Sequence, residues 1–190
     1  MNREKSCVGY LVFLAVIPAP VSALEICDDL WFTRNLTFHR AGYCFNSVLG
    51  LAVFGNAGCT SKSPTLSAEA SALVAHVKAL EAEWSCHVDT RRKVLGVVSL
   101  EFRKSLTDLP VATGYESGCI GWRGDPFALH LGRTPDSPVT ATGRAGDELL
   151  YEFEDVGGWS YIQLTRGGIS AGAGWARVPL EDAVCDNYAG

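Results

Sequence analysis

Gly157-Gly158-Trp159-Ser160-Tyr161-Ile162-Gln163-Leu164 is the stretch on which the fold turns. Its two glycines make a tight turn available, and the run behind them is rich in aromatic and branched residues that fit a pleated strand. Similar runs surround it. Residues 120–122, 127–131, 139–142, 148–153 and 174–178 are short and apolar, like 159–164. Gly, Pro, Asp and Ser separate them at 132–137, 143–147 and 157–158. Short strands broken by turn residues at this spacing predict an all-β unit over residues 118–190.

Upstream of residue 90 the period changes. Leu30, Trp31, Arg34, Phe38 and Ala41 recur on one helical face, with Asp28 or Asp29 available to cap the start and Gly42 to close the end. Residues 48–54 offer a short second helix that stops at Gly55 and Asn56. A third begins at Ser67, with Leu73, Val77, Leu80 and Trp84 as its apolar side and Glu69 placed where the helix dipole favours a carboxylate. Two antiparallel helices packed through these stripes predict a compact unit over residues 24–89. Residues 90–117 lose the helical period and read as a connector with one or two short strands, at 94–100 and 106–111. The expected class is therefore α+β: a small helical N-terminal unit, stapled by disulfides, followed by a β unit.

The cysteines bear on this organisation. Of seven, Cys7 lies in the extreme N-terminus, which leaves Cys27, Cys44, Cys59, Cys86, Cys119 and Cys185 as an even set. Four cluster before residue 90 and two bracket the last third, which predicts two separately stapled units. Cys119 is expected to pair with Cys185; a loop of that length contributes about 4 kcal/mol in the chain-entropy model. In the first unit Cys27 with Cys86 and Cys44 with Cys59 is the preferred arrangement, with Cys27 to Cys44 as the alternative. A zinc cage is disfavoured, because there is no Cys-x-x-Cys pair and the spacings of 17, 15 and 27 are wrong for one.

Arg3 and Lys5, the apolar run 8–17, and the small residues ending at Val21, Ser22 and Ala23 have the three-part layout of a secretory signal peptide over residues 1–23. The apolar run is short of the about 20 helical residues that cross a bilayer, so no stable membrane insertion is expected once the signal is lost. Export and disulfides together predict a periplasmic or secreted location. The formal net charge of −5 disfavours nucleic acid and anionic membranes as partners, since both require concentrated Lys and Arg.

Two resemblances extend this reading. Leu30, Trp31, Phe32, Thr33, Arg34 and Asn35, followed by Phe38, Arg40, Gly42, Tyr43 and Phe45, resemble the YARHG domain of extracellular bacterial proteins over residues 27 to 60. The name-giving run falls on Phe38, His39, Arg40, Ala41 and Gly42, with Ala41 where a histidine is usual. The resemblance implies an interaction or structural domain. Residues 129–131, Pro138, Val139, the Gly146-Asp147 turn, Gly158 to Ile162, and Gly174, Trp175 and Ala176 resemble bacterial SH3-like domains, which implies a small β-barrel over 118–190. Residues 167–172 make a longer connection there than the usual hairpin. The combination resembles a family of exported alphaproteobacterial proteins.

Candidate binding residues follow from the same motifs. Arg34 either stacks on Trp31 or Phe38 and bonds loop carbonyls while Asn35 caps a turn, or joins Arg40 in presenting guanidinium groups to an anionic ligand. Trp122, Trp159, Tyr161 and Trp175 either pack a core or line a groove for sugar rings or extended peptide. No metal motif includes His39, His76, His87 or His130, no Gly-x-Ser-x-Gly elbow or phosphate loop is present, and no cofactor is implied. Glu152 and Glu154 read as solvated on one strand face. The expected function is a non-catalytic binding or adaptor module for a cell-wall fragment or an envelope protein, with a small secreted hydrolase or hydrolase inhibitor as the rival.

Overall fold

The computed structural model describes residues 24–178 and 184–189. The signal-peptide reading falls on residues 1–23 and lies outside them. Helix α1 (Leu24–Arg40) is already formed ahead of Asp28, so neither aspartate caps it. Both carboxylates have distant partners instead. Asp28 pairs with Arg92 and accepts from the Gly96 amide at 2.6 Å, while Asp29 pairs with Arg103. With those oxygens engaged by the connector, nothing competes with helical backbone at this point.

Nor does α1 bury a single stripe. Leu30 enters one core, and Trp31, Phe32 and Leu36 enter another with Leu49, Val53 and Leu95. Its buried polar side chains bond along the helix: Thr37 Oγ1 donates to Thr33 O at 2.9 Å, and Asn35 Nδ2 to Trp31 O at 2.7 Å. Asn35 therefore stabilises its own helix rather than a neighbouring turn. The helix closes at Gly42, φ +85°, where Tyr43 N donates to Phe38 O and Gly42 N to His39 O, the paired bonds of a left-handed helix end.

Helices α2 (Val48–Phe54) and α3 (Ala68–Glu83) begin alike. Ser47 Oγ accepts from Gly50 N and Ser67 Oγ from Ala70 N, each at 3.1 Å, which satisfies a donor that the first turn leaves open. Helix α3 runs back along α1, with Val77 fully buried and Leu73, Leu80 and Trp84 packed on the same core. Its end repeats the α1 cap with a serine in the glycine's place: Ser85 sits at φ +52°, and Cys86 N donates to Glu81 O at 2.8 Å. That turn delivers Cys86 to Cys27, to which it is bonded with the Cα atoms 5.2 Å apart. Cys44 is joined to Cys59 and Cys119 to Cys185, at 5.0 and 5.4 Å between Cα atoms.

The connector departs from expectation. Neither predicted stretch, 94–100 or 106–111, forms a strand; residues 90–117 contain a short helix between them, α4 (Leu100–Ser105), and a single bridge from Ala112 to Phe153. Glu101 in its first turn and Arg103 and Lys104 in its last suit the helix dipole. Burial of Arg103 and Leu106 against α1 and the sheet decides the matter.

The sheet comprises β1 (Gly118–Trp122), β2 (Phe127–His130), β3 (Val139–Gly143), β4 (Glu148–Leu150), β5 (Ser160–Arg166), β6 (Ile169–Ala176) and β7 (Cys185–Ala189). All pairings are antiparallel in the order β3-β2-β6-β5-β4-β1-β7. β3 and β7 stand at the edges, so the sheet is open rather than a closed barrel. Gly167 and Gly168, at φ +58° and +77°, form a two-residue hairpin turn between Arg166 and Ile169. Residues 169–172 are therefore strand, not an extended connection, because paired left-handed glycines match the twist of the flanking strands. Strand β7 escaped prediction because Asp186 and Asn187 are poor strand formers; pairing with β1 and the Cys185 disulfide hold it.

Period 2 along β5 sends side chains to both faces. Ile162 and Leu164 join Cys119, Trp122, Leu129 and Leu149 in a core belonging to the sheet. Tyr161 points the other way, with Phe153, Trp159 and Trp175, and packs against Ile26, Leu30 and Val77 of the helices. Helical part and sheet thus share one core. At its margin Arg103, 1% exposed, pairs with Asp29 and lies 5.1 Å from the ring centres of both Phe32 and Phe153. Burial lowers the Arg103 pKa to about 10 and raises that of Tyr161 to about 12. Among the described residues no helix is long and apolar enough to cross a membrane.

Candidate functional site

The shared core leaves a seam, and the larger cavity opens along it. The cleft, about 620 Å³, is bounded by the end of α1, the first turns of α3, the segment after α4, and loops following β2 and β4. That size lies within the range of small-ligand sites. Leu73, Leu109 and Val111 supply apolar floor, Arg40, Arg133, Glu69, Asp108 and Glu154 supply charge, and His76 adds an imidazole.

Four of these groups and His76 are positioned by specific contacts. Arg40, at the last position of α1, donates to the carbonyls of Lys104 and Thr107 at 3.2 Å and to that of Leu106, tying the open end of α4 to α1. Burial lowers its pKa while the nearby Asp108 carboxylate opposes that shift. Arg133 follows β2; its amide donates to Asp108 Oδ2 at 2.7 Å and its guanidinium to Oδ1 at 3.2 Å, with the guanidinium carbon 5.2 Å from the Trp175 ring centre. Trp175 Nε1 donates to the Asp108 carbonyl at 2.9 Å, so one aspartate fastens both ends of this wall. Across the cleft, His76 Nε2 of α3 lies 2.9 Å from both carboxylate oxygens of Glu154.

Of the candidate binding residues singled out from sequence, only Arg40 lies on this cleft. Arg34 is held by Glu81 of α3, its Nε donating at 2.9 and 3.0 Å, so it braces two helices rather than stacking on Trp31 or Phe38. The aromatic groove does not form: Trp122, Trp159, Tyr161 and Trp175 are buried to 5% exposure or less and present no face to a ligand. The physical reason is the shared core, which covers the second face of β5 and β6 that an isolated barrel would leave open. Trp122 packs the opposite face, its Nε1 donating to Asp125 O at 3.0 Å. Glu152 and Glu154, expected together in solvent, line two different cavities. Arg133 and Asp108 went unmarked because their loops carry no periodic signal; the Gly132 turn residue beside Arg133 was the sole hint.

His39 and His130 serve packing, while His87 is exposed, its Nδ1 2.9 Å from Ser85 O. His39 stacks on Phe54 at 5.4 Å, and His130 Nδ1 lies 2.8 Å from Ser137 O with its ring edge-on to Trp159. Among the described residues no group of His, Cys, Asp and Glu is placed to hold a metal ion, and all six described cysteines are in disulfides.

Residues 9–82 match the model of the YARHG domain, and residues 85–190 match that of a domain of unknown function, DUF4453. No curated protein and no solved structure matches the chain. The cleft is thus built where the two matched regions meet. Because the second match spans more than half of the 190 residues, the chain belongs to the DUF4453 family, with a YARHG domain ahead of that region.

Proposed function

We propose that this protein is an exported, periplasmic or secreted, binding module that holds a short carboxylate-bearing peptide segment, such as a cell-wall fragment or part of an envelope protein, in the seam cleft. The observation that carries the reading is the juxtaposition of Arg133 and Arg40 with the apolar floor of Leu73, Leu109 and Val111. Guanidinium groups grip a carboxylate through two parallel bonds, and the floor accepts side chains along the segment. Both arginines are already oriented by protein contacts, which lowers the ordering cost of binding. Three disulfides fit an oxidising compartment. The sheet is an opened relative of the SH3-like barrel, its unclosed face taken up by the helices; the glycine turns at 157–158 and 167–168 support that kinship.

The test is titration of the oxidised protein with muropeptides, followed by calorimetry. Saturable binding weakened about tenfold by Arg133→Ala and abolished by the cleft-filling Ala70→Phe is the expected result. No heat at saturating ligand, or affinity indifferent to both variants at unchanged melting temperature, overturns the reading. A second reading, a small hydrolase, is favoured by one observation, the His76–Glu154 dyad on the cleft wall. Mass spectrometry of the recovered muropeptide separates the two: intact ligand supports binding, and shortening that disappears in His76→Ala supports hydrolysis.

A further inference from the structure

The cleft has two electrically different ends, and one stretch of chain fixes the distance between them. Residues 107–111, which follow α4, run along its floor. At the near end Arg40 donates to the Thr107 carbonyl at 3.2 Å, and Arg133 is held by the Asp108 carboxylate. At the far end Glu154 N donates to Val111 O at 2.8 Å, which seats Glu154 beside Val111. From Asp108 to Val111 the backbone can span no more than about 11 Å. Helix α3 gives the same order on the opposite wall: Ala70, Leu73 and His76 line the cleft from one helical face, which climbs about 9 Å before His76 meets Glu154.

The two ends differ in sign. The near end sets two guanidiniums, Arg40 and Arg133, against one carboxylate, Asp108. Arg40 donates to carbonyls, which leave its charge uncompensated, and Arg133 meets Asp108 through Nη2, one prong of a fork that can serve a second acceptor. The far end is acidic. His76 Nε2 touches both Glu154 oxygens at 2.9 Å, but a single N–H fills only part of a carboxylate's acceptor capacity, and the Glu154 charge persists unless His76 is protonated. Glu69, the other charged group on the lining, is exposed and bonds back to Ser67 and its own amide.

We infer that the ligand of this cleft is a zwitterion, with a carboxylate at Arg133 and Arg40 and a primary ammonium at Glu154, about 10 Å apart along the floor. The inference rests on the binding reading given above and adds the second charge to it. An extended peptide of three residues with both ends free has that span, and so does a lysine side chain that precedes a C-terminal residue. The side chain between the two charges lies on Leu73 and Leu109. A ligand with a carboxylate at each end would set one of them against Glu154, so the same residue rejects dianions.

The experiment is calorimetric titration of the oxidised protein with L-alanyl-L-leucyl-L-alanine, its N-acetyl derivative, its C-terminal amide, and N-acetyl-L-lysyl-L-alanine. The free tripeptide is expected to saturate the cleft, and acetylation to weaken it about tenfold. Glu154→Gln should weaken the free tripeptide by a similar factor and leave the acetylated one unchanged, at an unaltered melting temperature. Tighter binding of the tripeptide supports an α-ammonium as the cation, and tighter binding of the lysyl probe a side-chain ammonium. If the acid is preferred over the amide while acetylation and Glu154→Gln make no difference, the carboxylate reading stands and the inference falls. If the amide binds as well as the acid, both fall. Binding that survives the cleft-filling Ala70→Phe, or no heat with any probe, overturns the inference, and the muropeptide titration then decides the reading by itself.

Discussion

In the helical part, rings gather on a single side chain: Trp31, Phe32, His39 and Phe45 lie 5.0 to 5.9 Å from Phe54, within a core that α1, α2 and the connector complete among themselves. In the sheet part the rings are divided. Trp122 packs with Phe127 in the sheet's own core, whereas Trp159, Tyr161 and Trp175 turn toward the helices. The contrast separates private burial from shared burial. Each part has a core of its own, but both also bury residues in the core between them, so damage there should reach both.

The largest test of that contrast is Arg103→Ala. It strands Asp29 and empties the space between Phe32 and Phe153, and should cost about 4 kcal/mol. Chemical denaturation followed by both far-ultraviolet dichroism and tryptophan fluorescence should give one coincident transition. Two separated transitions would show that the helical part stands without the shared core.

A smaller effect is expected inside the sheet. Asp147 is 1% exposed; its carboxylate accepts from Arg166 Nε at 2.7 Å and from the Arg144 amide at 2.9 Å. The Arg166 hydrogen bond, foremost, holds its pKa below the ordinary carboxylate value. A carboxyl with a depressed folded pKa contributes stability above its unfolded pKa and loses it as pH falls through the folded value. Asp147→Asn should therefore cost about 2 kcal/mol at neutral pH and flatten the loss of stability below about pH 4. Denaturation curves at pH 7 and pH 3 check both, and an unchanged acid dependence would count against this carboxylate as its source.

The smallest effect sharpens the comparison within the helical part. α1 and α3 end in the same capping arrangement, one with Gly42 and the other with Ser85 at φ +52°. A side chain in the left-handed region costs about 1 kcal/mol, so Ser85→Gly should raise the melting temperature by a few degrees. A lower melting temperature would mean that the Ser85 side chain outweighs its backbone strain.

These differences explain what was legible in advance. Residues 48–54, the Ser67 start of α3, the Gly42 stop and the glycine turn at 157–158 each depend on neighbours a few positions away, and local chemistry sufficed to read them. Helix α4 was missed because six residues carry too little period to distinguish helix from strand, and the burial of Arg103 that holds it involves α1 and the sheet. The cleft was scarcely visible. Its charged wall draws Arg40, His76, Asp108, Arg133 and Glu154 from five separate segments, and no spacing rule connects them.

By itself the amino-acid sequence determined a helical region followed by a sheet, the stops and turns within each, and an even complement of six cysteines from residue 27 onward, because each follows from local backbone preference or composition. Tertiary structure alone decided that the sheet stays open, that its aromatic face turns inward, and that Asp28 and Asp29 serve as anchors rather than caps. The reason is that these outcomes depend on which surface is covered from a distance, and α1 must dock before Tyr161 and Trp175 have anything to be buried against.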